Sequence, residues 1–134
     1  MIQANELRIG NWVKDRVGND LCVESLTKET LTLIHNDFGL LNLPYDKVSP
    51  IKITKSWLYT LDFELDYKSE YAIKYTHKNP SFGYEWDMDG GWNARWYGRY
   101  IECKYVHHIQ NIYFSLYGSE LVLSTVLGAT KPSI

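Results

Sequence analysis

Turn-forming residues recur about every ten positions through the first half of the chain, and that spacing limits every element there to a short strand. The groups RVGND (16–20), TKE (27–29) and NDF (36–38), with Pro44, punctuate four runs: NWVK (11–14), LCVESL (21–26), TLTLIH (30–35) and GLLNL (39–43). Runs of four to six residues are too short to hold a helix in water, whereas they suit consecutive antiparallel strands. Leu31 and Leu33 alternate with Thr30, Thr32 and Ile34, and Leu21, Val23 and Ser25 alternate with Cys22, Glu24 and Leu26. A period of two predicts a small sheet with one face buried and one half exposed.

Beyond residue 50 the punctuation changes. Residues 48–54 (VSPIKIT) carry Pro50 and no aromatic ring, which marks a connector. Thr54 is placed to cap a short helix over 55–61 that presents Trp57, Leu58 and Leu61 at helical spacing. Phe63 to Leu65 leads into a second strand set, 71–77, 82–87 and 96–103, separated by KNPS (78–81) and DGG (89–91). The segment 104–117 (KYVHHIQNIYFSLY) is the chain's strongest helix: Val106, Ile109, Ile112, Tyr113 and Leu116 fall on one face, and Gly118 follows where a left-handed cap is wanted. A last short strand is expected within 119–127, then a loose tail over 128–134.

The expected fold class is therefore α+β, with a β-rich lobe over 1–50 and an α+β lobe over 51–127. The latter comprises the helix 55–61, a three-stranded antiparallel meander within about 71–103, and the helix 105–117. The stretch LRIGNWV (7–13), a hydrophobic pair, a Gly-Asn turn and a new strand, resembles the entry of an SH3-like barrel, which implies that the first meander curls into one.

Charge and cysteine usage narrow the partners. Fourteen Lys and Arg against sixteen Asp and Glu leave a formal charge of −2, with no run of five like charges. A balanced chain offers no basic field for a phosphate backbone. The apolar runs are short and broken, so no signal peptide or membrane span is expected and the compartment is read as cytoplasmic. Two distant cysteines, Cys22 and Cys103, do not make a disulfide framework and are read as free thiols.

Catalytic and metal motifs are sparse. His107 and His108 are helix neighbours, so they should point about 100° apart and are not expected to face one ligand. Cys103 and His107, four apart, are the one metal-like spacing, and no second ligand pair completes four-coordination. The loop DMDGG (87–91) departs from a calcium loop at the fifth position (Gly91), the sixth (Trp92) and the twelfth (Gly98), so a hairpin turn is expected. Neither G-x-S-x-G, G-x-G-x-x-G nor a phosphate-binding loop occurs. No enzyme activity, cofactor or metal is expected.

The outlying number is aromatic. Twenty of 134 residues are Phe, Trp or Tyr, and seventeen of these lie between Trp57 and Tyr117. On a strand over 82–87, Phe82, Tyr84 and Trp86 share one face and Gly83, Glu85 and Asp87 the other. Tyr84, Trp86, Trp92, Arg95, Trp96 and Arg99 are accordingly the candidate binding residues: Trp, Tyr and Arg dominate protein interfaces without needing a basic field. The expected partner is a protein or a second copy of the chain. The alternative is a nucleic-acid strand stacked on the rings with Arg95 and Arg99 on its phosphates.

Two stretches carry a resemblance. ANELRIGNWV (4–13) and KYVHHIQNIYFSLYGSEL (104–121) are similar to a large group of short, uncharacterised proteins encoded by Bacteroidetes, their phages and mobile elements. In that group the helix typically reads like YVHQLQNLYFALTGEEL; His108 here stands for the Gln and Tyr117 for the Thr. The resemblance implies an accessory protein of a phage or integrated element and carries no activity with it.

Overall fold

The computed structural model describes residues 2–124, which divide into two compact units, 2–52 with 105–111 and 53–104 with 112–124. The first unit is built on an antiparallel meander, β1 (Trp12–Lys14), β2 (Asp20–Leu26), β3 (Thr30–His35) and β4 (Gly39–Pro44), in sheet order β1-β2-β3-β4. Val13 pairs with Leu21, Val23 with Leu33, and Leu31 with Leu43, so one face collects the apolar residues that a period of two predicts. Leu7, Val13, Leu21, Val23, Leu31, Leu33, Tyr45 and Val48 form that unit's core. The expected alternation fails at one point. A bulge between Val23 and Ser25 shifts the register, so Leu26 rather than Ser25 returns to the core face.

The turns are fixed by side chains bonding to backbone. The Asp15 carboxylate accepts from the N–H groups of Val17 and Asn19 across the β1–β2 turn, and Thr27 Oγ1 accepts from Glu29 and Thr30 across the next. The sheet does not close into the SH3-like barrel expected from 7–13: its strand order is open. After β4 the chain makes a 3-10 turn, Tyr45–Lys47, and returns to β1 only through the single bridge Lys14–Ser49.

The second unit opens with α1 (Lys55–Thr60). Thr54 caps it as expected, its Oγ1 accepting the Trp57 N–H at 3.1 Å, and Trp57, Leu58 and Leu61 are buried. Five strands follow where three were expected: β5 (Phe63–Lys68), β6 (Ala72–His77), β7 (Phe82–Asp87), β8 (Gly91–Trp96) and β9 (Arg99–Glu102), an antiparallel meander in that order. The expected strand over 96–103 is cut by a tight hairpin. Tyr97 (φ 48°) and Gly98 (φ 76°) both adopt left-handed backbone, the requirement of the two-residue turn that matches strand twist, and Trp96 pairs with Arg99 across it.

The long helix, α2 (Val106–Tyr117), forms as the periodicity requires, and Gly118 (φ 70°) terminates it with its N–H on the Phe114 carbonyl. Residues 106–111 belong with the first unit, where Val106, His107, Ile109 and Gln110 are buried. Residues 112–117 belong with the second, where Tyr113 and Tyr117 meet Phe82 edge-on at 5.2 and 6.2 Å. Residues 119–124 hold no strand; 125–127 and the expected tail lie outside the described residues. Among the described residues no helix is long and apolar enough to cross a membrane.

Candidate functional site

The six candidate residues share the β7–β9 region, and the strand register sorts them by face. Directly opposed residues lie on the same side of a sheet, so Tyr75, Tyr84, Ala94 and Ile101 make one row, Ile73, Trp86 and Trp92 a second, and Phe82, Trp96 and Arg99 a third. The alternation expected along 82–87 is present, yet its centre points inward. Tyr84 is 3% exposed, stacks on Trp92 at 4.9 Å and donates its hydroxyl to the Cys103 carbonyl at 2.7 Å. Burial raises its pKa far above the ordinary phenol value. Tyr84 is thus a core residue rather than a contact residue, a correction to its place in the candidate set. Trp86, Trp92 and Trp96 are half-buried.

On the opposite face Glu85 is buried and Arg95 is paired with it. Gly83 makes room for that pair: a Cβ there would lie 2.7 Å from Arg95 Nη2 and 2.9 Å from the Tyr75 carbonyl oxygen. The Arg95 charge is therefore already neutralised within its own sheet. Arg99 is exposed, and near it stand Tyr97 (72% exposed) in the β8–β9 turn and Tyr100 (57%) and Ile101 (38%) on the edge strand β9. These last three are outside the candidate set. The signal for them was the Tyr-Gly pair, which reads as a hairpin tip once both residues are allowed left-handed backbone. The Asp87 carboxylate accepts from the Asp89 and Gly90 N–H groups, so the DMDGG loop is the hairpin turn expected of it.

A second constellation lies within the first unit, where ANELRIGNWV meets the first half of α2. Gln110 Oε1 accepts the Trp12 N–H at 2.9 Å while its Nε2 donates to the Gly10 carbonyl at 3.1 Å. Asn111 Oδ1 accepts from Arg8 Nε at 2.8 Å and Asn11 Nδ2 at 2.9 Å, and its Nδ2 donates to the Glu6 carbonyl at 2.8 Å. Asn11 and Gln110, at 0% and 1% exposure, are buried polar groups with their partners supplied.

No family model, curated protein or solved structure matches the chain.

This polar clamp of Gln110 and Asn111 on residues 6–12 also places three ionisable groups together. Glu6 Oε1 lies 3.6 Å from His107 Nε2 and 3.8 Å from His108 Nε2, both too long for hydrogen bonds. Helix neighbours do face one group here, against the expectation from their 100° separation, because the two rings lean together with centroids 4.3 Å apart. Burial, and secondly the neighbouring His108, lower the His107 pKa to about 4, so its ring is neutral. The Gln3 N–H, donated to Glu6 Oε2 at 2.8 Å, holds the Glu6 carboxyl below its ordinary value. Cys103, four residues before His107, precedes the start of α2 at Val106 and therefore shares no helical face with it. Cys22 and Cys103 are not joined by a disulfide.

Proposed function

We propose that this chain is a non-catalytic binding protein, an accessory protein of the phage or mobile-element type, that engages a protein partner or a second copy of itself along the β8–β9 hairpin. The observation that carries the reading is the edge strand β9, all four of whose residues are exposed, continued at its tip by the exposed ring of Tyr97. An edge strand presents main-chain donors and acceptors on its outer side, and Tyr97, Tyr100, Ile101 and Arg99 supply the residue types that anchor interfaces. Trp96, packed against Tyr97 with ring centroids 5.2 Å apart, stiffens the tip. The nucleic-acid alternative loses ground because the guanidinium of Arg95 is committed to Glu85, leaving Arg99 as the exposed member of that pair.

The test compares the wild-type chain with a Tyr100→Ser/Ile101→Thr variant by sedimentation velocity and by capture from the cells that encode it. Association that the variant loses while its circular dichroism stays native supports the reading. Equal association of both overturns it, and capture that falls steeply with added salt and is abolished by nuclease favours nucleic acid instead.

A further inference from the structure

We propose that Glu6, His107 and His108 form a binding site for a divalent late first-row metal ion, of which zinc is the natural probe. One ligand atom from each residue lies within 4.8 Å of the other two. A tetrahedral zinc with bonds of about 2.0–2.1 Å sets its ligand atoms roughly 3.3 Å apart, so the Glu6 to His107 and His108 separations of 3.6 and 3.8 Å need only a small inward rotation of the half-exposed Glu6 and His108 side chains toward the buried His107 ring. Two imidazoles and one carboxylate suit a borderline cation such as zinc, and three protein ligands leave a fourth position for water.

The independent sign of a missing ligand is His107. Its side chain is 1% exposed, and neither ring nitrogen has a hydrogen-bond partner among the described residues. A buried polar group left unpaired is costly, and a cation at Glu6 would give Nε2 the partner it lacks. The ring is neutral near pH 7, which leaves a lone pair for coordination without first losing a proton.

The surroundings are built as outer support. Glu6 closes the 3-10 turn Ala4–Glu6; the Gln3 N–H engages its Oε2 and leaves Oε1 facing the two rings. Asn111 holds the Glu6 carbonyl, and Tyr105 lies parallel to the His107 ring and edge-on to His108 at 6.0 and 5.2 Å. The Gln3 and Asn111 hydrogen bonds fix the orientation of Glu6, as outer-shell partners of a ligand do. The N-terminus of α2 opposes a cation, and the Glu6 carboxylate is the local charge that offsets it.

The test uses the full chain freed of metal by a chelator and titrated with zinc chloride by calorimetry, with imidazole nitrogen shifts followed by NMR. One zinc per chain is expected, with the His107 and His108 nitrogens both shifting. Glu6→Gln and His108→Gln alter side chains 37% exposed, so both variants should keep the native dichroism while each weakens zinc binding by more than about tenfold, the smallest loss usual even for an outer-shell change. Absence of zinc uptake overturns the proposal. So does uptake that survives both substitutions, because it locates the ion elsewhere, such as at Cys22 or Cys103.

Discussion

Gln110 is the residue on which the first unit's polar clamp turns, since both ends of its side chain are bonded to the Gly10–Trp12 backbone. Replacing it with Ala removes an acceptor from one backbone group and a donor from another in a site closed to water. Gln110→Ala should therefore cost about 1–3 kcal/mol, read as a lower urea midpoint, while Gln110→Glu should recover no more than part of it because the Gly10 carbonyl still lacks a donor. His77 makes a second residue-scale prediction. It is buried, its Nδ1 accepts the Asn79 N–H at 2.9 Å, and desolvation lowers its pKa from the ordinary 6.5, more than Asp62 raises it. The folded state thus prefers the neutral ring, and the unfolded chain takes up the proton first. Stability is full above about pH 6.5 and falls as pH drops below it. In urea titrations from pH 8 down to pH 5, His77→Gln should show a shallower decline than the wild type; parallel curves would remove His77 from the account.

Among the elements, the β8–β9 hairpin combines strain with exposure. Tyr97 holds a left-handed backbone that residues other than Gly, Asn and Asp rarely adopt, and its ring stands 72% exposed. Tyr97→Asn restores an Asn-Gly turn pair, so it should raise the unfolding free energy by about 0.5–1 kcal/mol while weakening association through the tip. A gain in thermal midpoint without any loss of association would mean that the tyrosine is an accident of sequence. The helix α1 makes the opposite case. At six residues it cannot persist alone, so packing must hold it. Thr54→Ala removes one cap and should cost about 1 kcal/mol, whereas Trp57→Ala empties a fully buried site and should cost about 3–5 kcal/mol in chemical denaturation.

At the scale of the whole molecule, the α+β class, the four-strand meander, both helices and their caps were legible because each rests on local chemistry: turn residues, a period of two or 3.6, Thr54 and Gly118. What was not legible depended on geometry that no spacing encodes. The bulge that sends Leu26 inward leaves no mark in the pattern, and the hairpin at Tyr97-Gly98 was hidden by a tyrosine where glycine or asparagine usually stands. The open sheet of the first unit turns on a return pairing that amounts to the isolated bridge Lys14–Ser49. For the candidate site, composition pointed to the β7–β9 region but could not tell Tyr84, whose hydroxyl finds a carbonyl in the interior, from Tyr100, which faces water. The Glu6, His107 and His108 cluster was beyond sequence reach because its members are brought together across about a hundred residues of chain.

That separation also governs how the molecule can be cut. The first unit needs residues 105–111 to satisfy Asn11 and the Gly10–Trp12 backbone, so a fragment holding residues 1–52 alone should lack a cooperative unfolding transition, and adding a peptide of residues 104–117 should restore part of it, as followed by circular dichroism. The clamp bonds join positions 98 to 105 residues apart. On the ribosome, then, the opening strands emerge first and wait: their polar seam has no partner until α2 leaves the exit tunnel, with the whole second meander made in between. The order of synthesis is thus not the order of completion, and the first meander, although made before the second, reaches its final hydrogen bonding only once α2 has followed.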